Sequence, residues 1–368
     1  MTTILFAGGG TGGHLMPALA IAQALSAHHP DWRMVFAGAH RGIEATVLPQ
    51  RGLPHRLFPF EPIHRRAWWR NAKWPLLALR IVREVDAMLR EESPALVIGT
   101  GGYVSGPVVW RAARRGIPTA ILELDVRPGM ATRHLAPRVD EIWLAAPESA
   151  GPLGASAVSR TVVTGAPITP PDALRRAAAR EAFGLTDDRP VLVVTGGSQG
   201  SLAINRLIAD WLHQGGGAGA QIIWATGRAS YAEFAPLHAP PAVNVVPFLD
   251  PMADAWAVAD LCLARAGMMT LAELCAWGIP SVLVPLPTAA ADHQTFNARA
   301  MADAGASVVH AQDGLTTAAL GETLTGLLET PARREAMAFA ARARGRPLAA
   351  TEIARRVDLL IARGVTAA

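Results

Sequence analysis

The chain has 368 residues, of which 51% are hydrophobic and 17% charged, and its formal net charge at pH 7 is +4. This composition indicates a folded protein with room for two domains and excludes a disordered chain. The positive charge is small and spread along the sequence, so no nucleic acid is expected as a partner.

Strands and helices alternate through the first half of the chain. Apolar runs predict strands at 3–7, 33–37, 95–98, 118–122 and 141–144, and helices fit at 17–28, 41–51, 75–92 and 105–115. This alternation predicts a parallel, doubly wound sheet and therefore an α/β fold. A strand at 161–164 ends the first domain, which we predict to span 1–164.

The second half repeats the alternation. After a helix and a polar turn within 170–190, strands are predicted at 191–195, 221–225, 243–246, 261–264 and 281–284. We therefore expect a second α/β domain over 165–345. A last helix from about 350 to 364 lies in the segment 346–368, which is expected to pack back on the first domain.

Two of the predicted strands run into glycine-rich turns. Gly8-Gly9-Gly10-Thr11-Gly12-Gly13-His14 follows the first strand, and Gly196-Gly197-Ser198-Gln199-Gly200 follows the strand at 191–195. Such turns leave backbone N–H groups and the positive end of a helix dipole facing one point, which suits a phosphate. The first turn matches the dinucleotide pattern G-x-G-x-x-G, but the strand ending at Phe36–His40 lacks the acidic residue that would hold a ribose.

His14, at the tip of the first turn, stands where a phosphate-binding loop would need lysine. Its position and titration range make it a candidate catalytic base, the alternative being a structural histidine. A further glycine turn at 101–107 follows the strand at 95–98 and is expected to line a cleft facing the turn at His14, or to be a tight turn with no further role.

Polar residues follow two predicted strands of the second domain. Thr270 falls in the first turn of a helix whose backbone amides could hold a diphosphate, and Glu273 lies on the same face, where it could accept both hydroxyls of a ribose. The alternative for Glu273 is an acid favoured by the helix dipole. Gln294 opens a later helix and could bind a sugar hydroxyl, beside Asp292 as an N-cap.

The segment 63–77 combines three tryptophans with five basic residues, counting His64 when it is protonated. This composition is typical of a surface that binds anionic lipid, although single-stranded nucleic acid and a tryptophan-rich helix packed on the core are alternatives. The chain begins without a basic, signal-like segment, so a cytoplasmic protein attached to a membrane face is expected.

Neither a metal nor a cofactor is expected. No Asp-x-Asp pair suits a divalent ion on a nucleotide diphosphate, and Glu123-x-Asp125 is a weak candidate. Cys262 and Cys275 match no zinc pattern and indicate buried thiols in a reducing compartment.

Taken together, the motifs at 8–14, 101–107, 196–200, 265–273 and 292–298 resemble the MurG family of UDP-N-acetylglucosamine–lipid I N-acetylglucosaminyltransferases in order and spacing over essentially the whole chain. The resemblance implies a GT-B fold, in which two Rossmann-like domains face a cleft. It also implies an inverting transfer of N-acetylglucosamine from UDP-N-acetylglucosamine to the 4-hydroxyl of an undecaprenyl-diphosphate-linked muramyl-pentapeptide, giving lipid II in peptidoglycan synthesis. The expected location is peripheral, on the cytoplasmic face of the inner membrane.

The resemblance also implies roles for individual residues. His14 and Glu123 are the expected catalytic residues, as first and second candidates for the base. The expected donor-binding residues are Thr11, Gly12, Gly13, Asp125, Thr169, Ser198, Leu249, Met269, Thr270, Glu273 and Gln294. The expected acceptor-binding residues are Gly102, Tyr103 and Ser105.

Three segments depart from the family pattern. Residues 122–125 read Leu-Glu-Leu-Asp where the family typically has His-Glu-Gln-Asn, Thr169 replaces an arginine, and Ala266 replaces a serine. Because Asp125 would add a negative charge beside a diphosphate, two alternatives stay open. One is a related UDP-sugar transferase acting on another lipid or a natural product, and the other is a non-catalytic UDP-sugar-binding partner of a cell-wall complex.

Overall fold

The computed structural model describes residues 1–60 and 74–367. These residues divide into two compact units, the first containing Met1–Ile168 with the C-terminal stretch from Leu348, and the second containing Thr169–Pro347. No helix in the described part of the chain is long and apolar enough to cross a membrane.

The first unit is built on one parallel sheet. Its strands are β1 (Thr3–Gly8), β2 (Arg33–Ala39), β3 (His55–Phe58), β4 (Leu96–Gly101), β5 (Thr119–Glu123), β6 (Glu141–Leu144) and β7 (Thr161–Val163). Its helices are α1 (Gly12–His28), α2 (Glu44–Gln50), α3 (Trp74–Glu92), α4 (Gly102–Arg114), α5 (Met130–Leu135) and α6 (Ala155–Val158), and the C-terminal helix belongs to the same unit.

The strand order β3-β2-β1-β4-β5-β6-β7 reverses direction between β1 and β4. The register pairs Leu5 with Val97 across this reversal. Ligands of doubly wound sheets bind beyond the carboxyl ends of the strands at such a point. The turns that follow β1 and β4 are therefore the natural place for a site in this unit.

The second unit repeats this plan. Its strands are β8 (Val191–Thr195), β9 (Gln221–Ala225), β10 (Val243–Val246), β11 (Leu261–Ala264), β12 (Ser281–Leu283) and β13 (Ser307–Val309). Its helices are α7 (Arg175–Ala182), α8 (Leu202–His213), α9 (Tyr231–Phe234), α10 (Met252–Val258), α11 (Met268–Trp277), α12 (His293–Asp303), α13 (Thr317–Leu328) and α14 (Pro331–Arg344). The parallel order β10-β9-β8-β11-β12-β13 reverses between β8 and β11.

The hydrophobic core of each unit is built on strands that are apolar on both faces. Every residue of β1 and of β8 is buried, as expected for parallel strands covered by helices on both sides. Cys262 and Cys275 are unpaired and buried in the second unit, in agreement with the prediction of buried thiols. Burial raises the pKa of the Cys275 thiol to about 11, which makes it unreactive.

All the predicted strands are present, and within the described ranges two further strands were not predicted. These are β3, where His55 and Arg56 interrupt the apolar pattern, and β13, which has only three residues. Short edge strands carry too few apolar residues for periodicity to reveal them.

The predicted start of α1 is wrong. The helix begins at Gly12 and not at Pro17. Proline is favoured in the first turn of a helix, which is why the sequence predicts a start at Pro17. Here Pro17 lies inside the helix, where its missing N–H removes only the hydrogen bond to the Gly13 carbonyl. Helix α4 likewise begins at Gly102, three residues before its predicted start.

The C-terminal helix, α15 (Ala349–Ala367), packs against α1 and β4 within the first unit. Arg356 of this helix forms a paired salt bridge with Glu141, the first residue of β6. The Glu141 side chain is buried and also accepts a hydrogen bond from Trp143 Nε1 at 3.0 Å. The last helix is therefore bonded to the sheet through a buried carboxylate.

Candidate functional site

In the first unit, the turns after β1 and β4 are joined through His14. Its Nδ1 lies 3.2 Å from the Thr100 carbonyl oxygen, and the Thr100 hydroxyl donates to the His14 carbonyl at 2.9 Å. A carbonyl oxygen only accepts, so Nδ1 carries a proton in this contact and Nε2 is the lone-pair nitrogen of the neutral ring. This tautomer is suited to accepting a proton at Nε2.

The same two turns approach each other backbone to backbone. A Cβ at Gly102 would overlap the Gly9 carbonyl oxygen, and Gly102 has a φ of +77°, so only glycine fits there. Beside them, the Tyr103 ring packs on Gly10. Burial raises the pKa of Tyr103, and the nearby charge of Glu44 raises it further. Ser105 is buried beneath the turn and packs on Gly99.

The residues at the start of α1 stand close to His14. Thr11 is the N-cap residue, with extended backbone, and its carbonyl accepts the His14 N–H at 3.2 Å. Thr11 and Gly13 are exposed, and Gly12 is half-buried. Their backbone amides belong to the open first turn of a long helix, where an anionic group is favoured.

Glu123 is the last residue of β5 and organises the turn that follows it. Its Oε1 accepts the Asp125 N–H at 3.0 Å, its Oε2 accepts the Gly129 N–H at 2.9 Å, and the Thr132 hydroxyl also bonds to it. Burial raises the pKa of Glu123 to about 7 against these hydrogen bonds. Asp125, in the same turn, accepts a hydrogen bond from the Ser149 hydroxyl through its carbonyl oxygen at 2.9 Å.

In the second unit, four of the predicted donor-binding residues line one pocket. They are Ser198, Leu249, Thr270 and Glu273. The pocket opens at the carboxyl ends of β8 and β9 beside α10 and α11. Because α11 follows β11, the pocket adjoins the reversal point between β8 and β11. Phe248 and Trp256 also line it, and neither was expected from the sequence.

Glu273 is held by one of these two unexpected residues. The indole Nε1 of Trp256 donates to Glu273 Oε2 at 3.0 Å. Burial raises the pKa of Glu273, and the bond from Trp256 opposes this by favouring the ionised form. Thr270 lies one turn before Glu273 on α11, so both side chains reach the pocket from one helix face.

Gln294 and Met269 lie at the edge of this arrangement. The Gln294 amide oxygen accepts the N–H groups of Ala266 at 3.2 Å and of Leu286 at 3.0 Å, so it joins the turns after β11 and β12. Met269 is the second residue of α11 and is half-buried. Thr169 is exposed at the first position of the second unit.

No role was predicted for Arg265, the residue that follows β11 in this unit. It is 8% exposed, and its guanidinium donates to the carbonyls of Val284 and Pro285 at 3.0 Å and to the Ser201 hydroxyl at 2.8 Å. It also bonds to the Gln312 amide oxygen, and burial lowers its pKa. Arg265 directly follows β11, so a positive charge held by neutral oxygens lies at the carboxyl end of that strand.

The predicted lipid-binding segment 63–77 lies almost wholly outside the described residues. Next to it in sequence, the first unit has an apolar groove lined by Phe60, Ile81, Trp110 and Leu135, with Arg138 at its rim. The Arg114 guanidinium lies 5.2 Å from the centre of the Trp110 ring. Across the described ranges, no three His, Cys, Asp or Glu side chains form a group that could hold a metal ion.

Comparison with known proteins agrees with this architecture. Residues 4–144 match the N-terminal domain of glycosyltransferase family 28, and residues 191–353 match its C-terminal domain. The UDP-N-acetylglucosamine–N-acetylmuramyl-(pentapeptide) pyrophosphoryl-undecaprenol N-acetylglucosamine transferase of Salinibacter ruber is 40% identical, with 98% of this chain and 97% of that protein covered. The protein of that name from Desulforudis audaxviator is 37% identical, with 98% and 99% covered.

Among solved structures, MurG from Acinetobacter baumannii superposes with a TM-score of 0.78 at 27% identity and covers 97% of this chain and 99% of its own. Two parallel α/β units, with a pocket at the carboxyl ends of the strands of the second sheet, define a GT-B glycosyltransferase. Within that class, the chain belongs to the MurG family of glycosyltransferase family 28.

Proposed function

We propose that the protein transfers N-acetylglucosamine from UDP-N-acetylglucosamine to the 4-hydroxyl of the muramyl sugar of lipid I. The observation that carries this proposal is the 37–40% identity, over nearly the full length of both chains, to transferases named for that reaction. The acceptor hydroxyl attacks the anomeric carbon from the face opposite UDP, and the configuration there inverts. The reaction needs a base for the hydroxyl and stabilisation of the departing diphosphate.

For the donor, the pocket of the second unit supplies both kinds of contact. The Glu273 carboxyl group accepts the two ribose hydroxyls, and the first turn of α11 at Met269 and Thr270 faces the diphosphate with its N–H groups. Glu273→Ala should raise the donor KM by roughly tenfold or more, because a hydrogen bond to a charged group contributes about 1.5–3 kcal/mol. An unchanged donor KM would contradict the ribose assignment.

For the base, His14 is favoured over Glu123. The His14 ring is held in the tautomer with its lone pair on Nε2, whereas both oxygens of Glu123 accept backbone N–H groups of its own turn. Glu123 therefore shapes the turn that carries Asp125. His14→Ala should lower kcat by on the order of a hundredfold, with UDP affinity unchanged.

The matched control is His28→Ala. His28 lies on the same helix, and its Nδ1 also contacts a backbone carbonyl, that of Ala24 at 2.8 Å, but it is exposed in the last turn. The control should keep its activity. If His14→Ala lost thermal stability and activity in parallel, His14 would be structural.

A lipid-linked acceptor stays in the bilayer, so the enzyme must bind the membrane surface. We assign this contact to the apolar groove at Trp110 and Arg138 together with the neighbouring segment 63–77. The protein would then act as a peripheral protein on the cytoplasmic face of the inner membrane.

The test of the whole proposal is a screen of UDP-sugars against lipid I with the purified chain. Transfer of N-acetylglucosamine in preference to other sugars is the expected result. Turnover only with another acceptor would identify a related transferase, and binding of UDP-N-acetylglucosamine without any turnover would identify a non-catalytic partner.

A further inference from the structure

The glycine turn after β1 already contains an anion of the protein's own. Glu44, the first residue of α2, is fully buried. The Gly10 N–H donates to its Oε1 at 3.0 Å and to its Oε2 at 2.9 Å, and the Ala39 N–H donates to Oε1 at 2.9 Å. Backbone N–H groups of a glycine turn at the end of a first strand are the donors that bind phosphate in related folds.

The surrounding backbone is shaped around this carboxylate. A Cβ at Gly42 would overlap both carboxylate oxygens, one at Gly9 would overlap the same group, and one at Gly38 would overlap the Glu44 side chain at Cγ. Three glycines from the ends of β1 and β2 therefore leave the space that Glu44 fills. Burying a carboxylate is unfavourable unless its oxygens are hydrogen-bonded, and here fixed backbone donors and the space left by the glycines fit the group.

We infer that Glu44 is a built-in anion that occupies the phosphate-type cradle of the first unit and acts as a positioning residue for His14. Gly10 is followed directly by Thr11, the N-cap of α1, so fixing the Gly10 N–H fixes where that helix and His14 begin. The cradle is closed to a nucleotide phosphate at this point. The inference rests on the proposed function only through its activity readout.

The first test removes the charge and then returns it. Glu44→Ala and the isosteric Glu44→Gln should each lower kcat by roughly tenfold to a hundredfold with UDP affinity unchanged within twofold, since the UDP pocket lies in the other unit. Added formate should restore much of the kcat of Glu44→Ala, whereas formamide, which has a similar shape and no charge, should not. Equal effects of formate and formamide, or no effect of either, would overturn the inference.

The second test displaces the carboxylate without changing it. Gly42→Ala places a methyl group where both oxygens lie and should reproduce the loss of kcat. The control is Gly151→Ala in the same unit, where an added Cβ meets no atom within 4 Å. Wild-type kcat in Gly42→Ala would contradict the positioning role.

A third readout needs no transferase activity. Amide hydrogen exchange at Gly10 and Ala39 should be slow in the wild type, faster in Glu44→Ala and slow again with formate. Slow exchange in the variant without formate would overturn the inference even if lipid I proved to be the wrong acceptor. Glu44→Gln keeps the side-chain volume and removes the charge. A wild-type unfolding temperature in this variant would show that its loss of kcat comes from loss of the anion and not from loss of the fold.

Discussion

The indole Nε1 of Trp256 and the Oε2 of Glu273 are joined by a hydrogen bond of 3.0 Å that links α10 to α11 across the pocket of the second unit. Trp256 is almost fully buried, so its position is fixed by the core. It orients the carboxylate before any ligand arrives and favours its charged form. A preoriented acceptor loses less side-chain freedom when a ribose binds.

Trp256→Phe should therefore weaken UDP binding by about fivefold, equivalent to one hydrogen bond of about 1 kcal/mol. The lost bond favours the ionised form of Glu273, so the pKa of Glu273 should rise in the variant. When the pH is lowered, the affinity for UDP should therefore begin to fall at a higher pH in the variant than in the wild type. Calorimetric titration with UDP across pH measures both effects. Trp211→Phe, in the same unit and similarly buried, is the control and should bind UDP like the wild type. Identical pH profiles for Trp256→Phe and the wild type would contradict the role given to the indole.

A second prediction concerns Glu123 and the pH dependence of stability. Its pKa rises from the ordinary value of 4.5 to about 7 in the folded state, so the folded protein binds this proton more tightly than the unfolded chain. The resulting stabilisation is complete below pH 4.5 and is lost as the pH rises through 7, by about 3 kcal/mol at most. The free energy of unfolding of the wild type minus that of Glu123→Gln should fall between pH 5 and pH 8 in urea titrations. A difference that is constant over this range would show that Glu123 stays ionised.

A third prediction concerns the membrane surface. Leu79 and Met130 are about half exposed in the first unit, beside residues of the apolar groove and its basic rim. Leu79→Glu with Met130→Glu should reduce co-sedimentation with phosphatidylglycerol vesicles, and Trp68→Ala with Trp69→Ala in the segment 63–77 should do the same. Binding should also weaken at high salt, since each basic residue near an anionic surface contributes about 1 kcal/mol.

The control for the membrane prediction is Phe339→Glu. Phe339 is 73% exposed and lies in the second unit. This variant should bind vesicles like the wild type. Vesicle binding that was lost in Phe339→Glu and kept in the other two variants would place the membrane face in the second unit.

A fourth prediction is that turnover survives EDTA. The described residues offer no group of three metal-ligating side chains, and the amides at the start of α11 would stabilise the diphosphate. The kcat should change by less than about twofold after chelation. Loss of activity that magnesium or manganese restored would mean that acidic side chains such as Glu123 and Asp125 bind an ion with the substrate.

The strands could be predicted because parallel strands buried on both faces are continuous apolar runs, as in Val191–Val194. Residues directly after such strands, such as Ser198, fall at the same sheet edge, so their grouping also follows from the sequence. The ends of helices were less predictable, since Pro17 signals a helix start but lies inside α1.

The partners of the site residues could not be predicted. Glu44 lies five residues after the end of β2, in the first turn of α2. An acid at such a position is ordinarily explained by the helix dipole. Nothing in the sequence indicates that its side chain accepts the Gly10 N–H. From the sequence, Trp256 is expected to be a core residue of an apolar helix. Its bond to Glu273 depends on the distance between α10 and α11. Such contacts join residues far apart in the chain, which periodicity cannot relate.

Because of the salt bridge between Glu141 and Arg356, the stability of the first unit depends on the order in which the chain is synthesised. Glu141 leaves the ribosome more than two hundred residues before its partner, and the second unit is made in between. Until α15 emerges, the Glu141 carboxylate must be buried without Arg356, or β6 must stay exposed to solvent at that end. Burying the carboxylate without its arginine costs several kcal/mol. The N-terminal unit, although first to be translated, is therefore the last to reach its full stability, and any chain truncated before Arg356 lacks that stability.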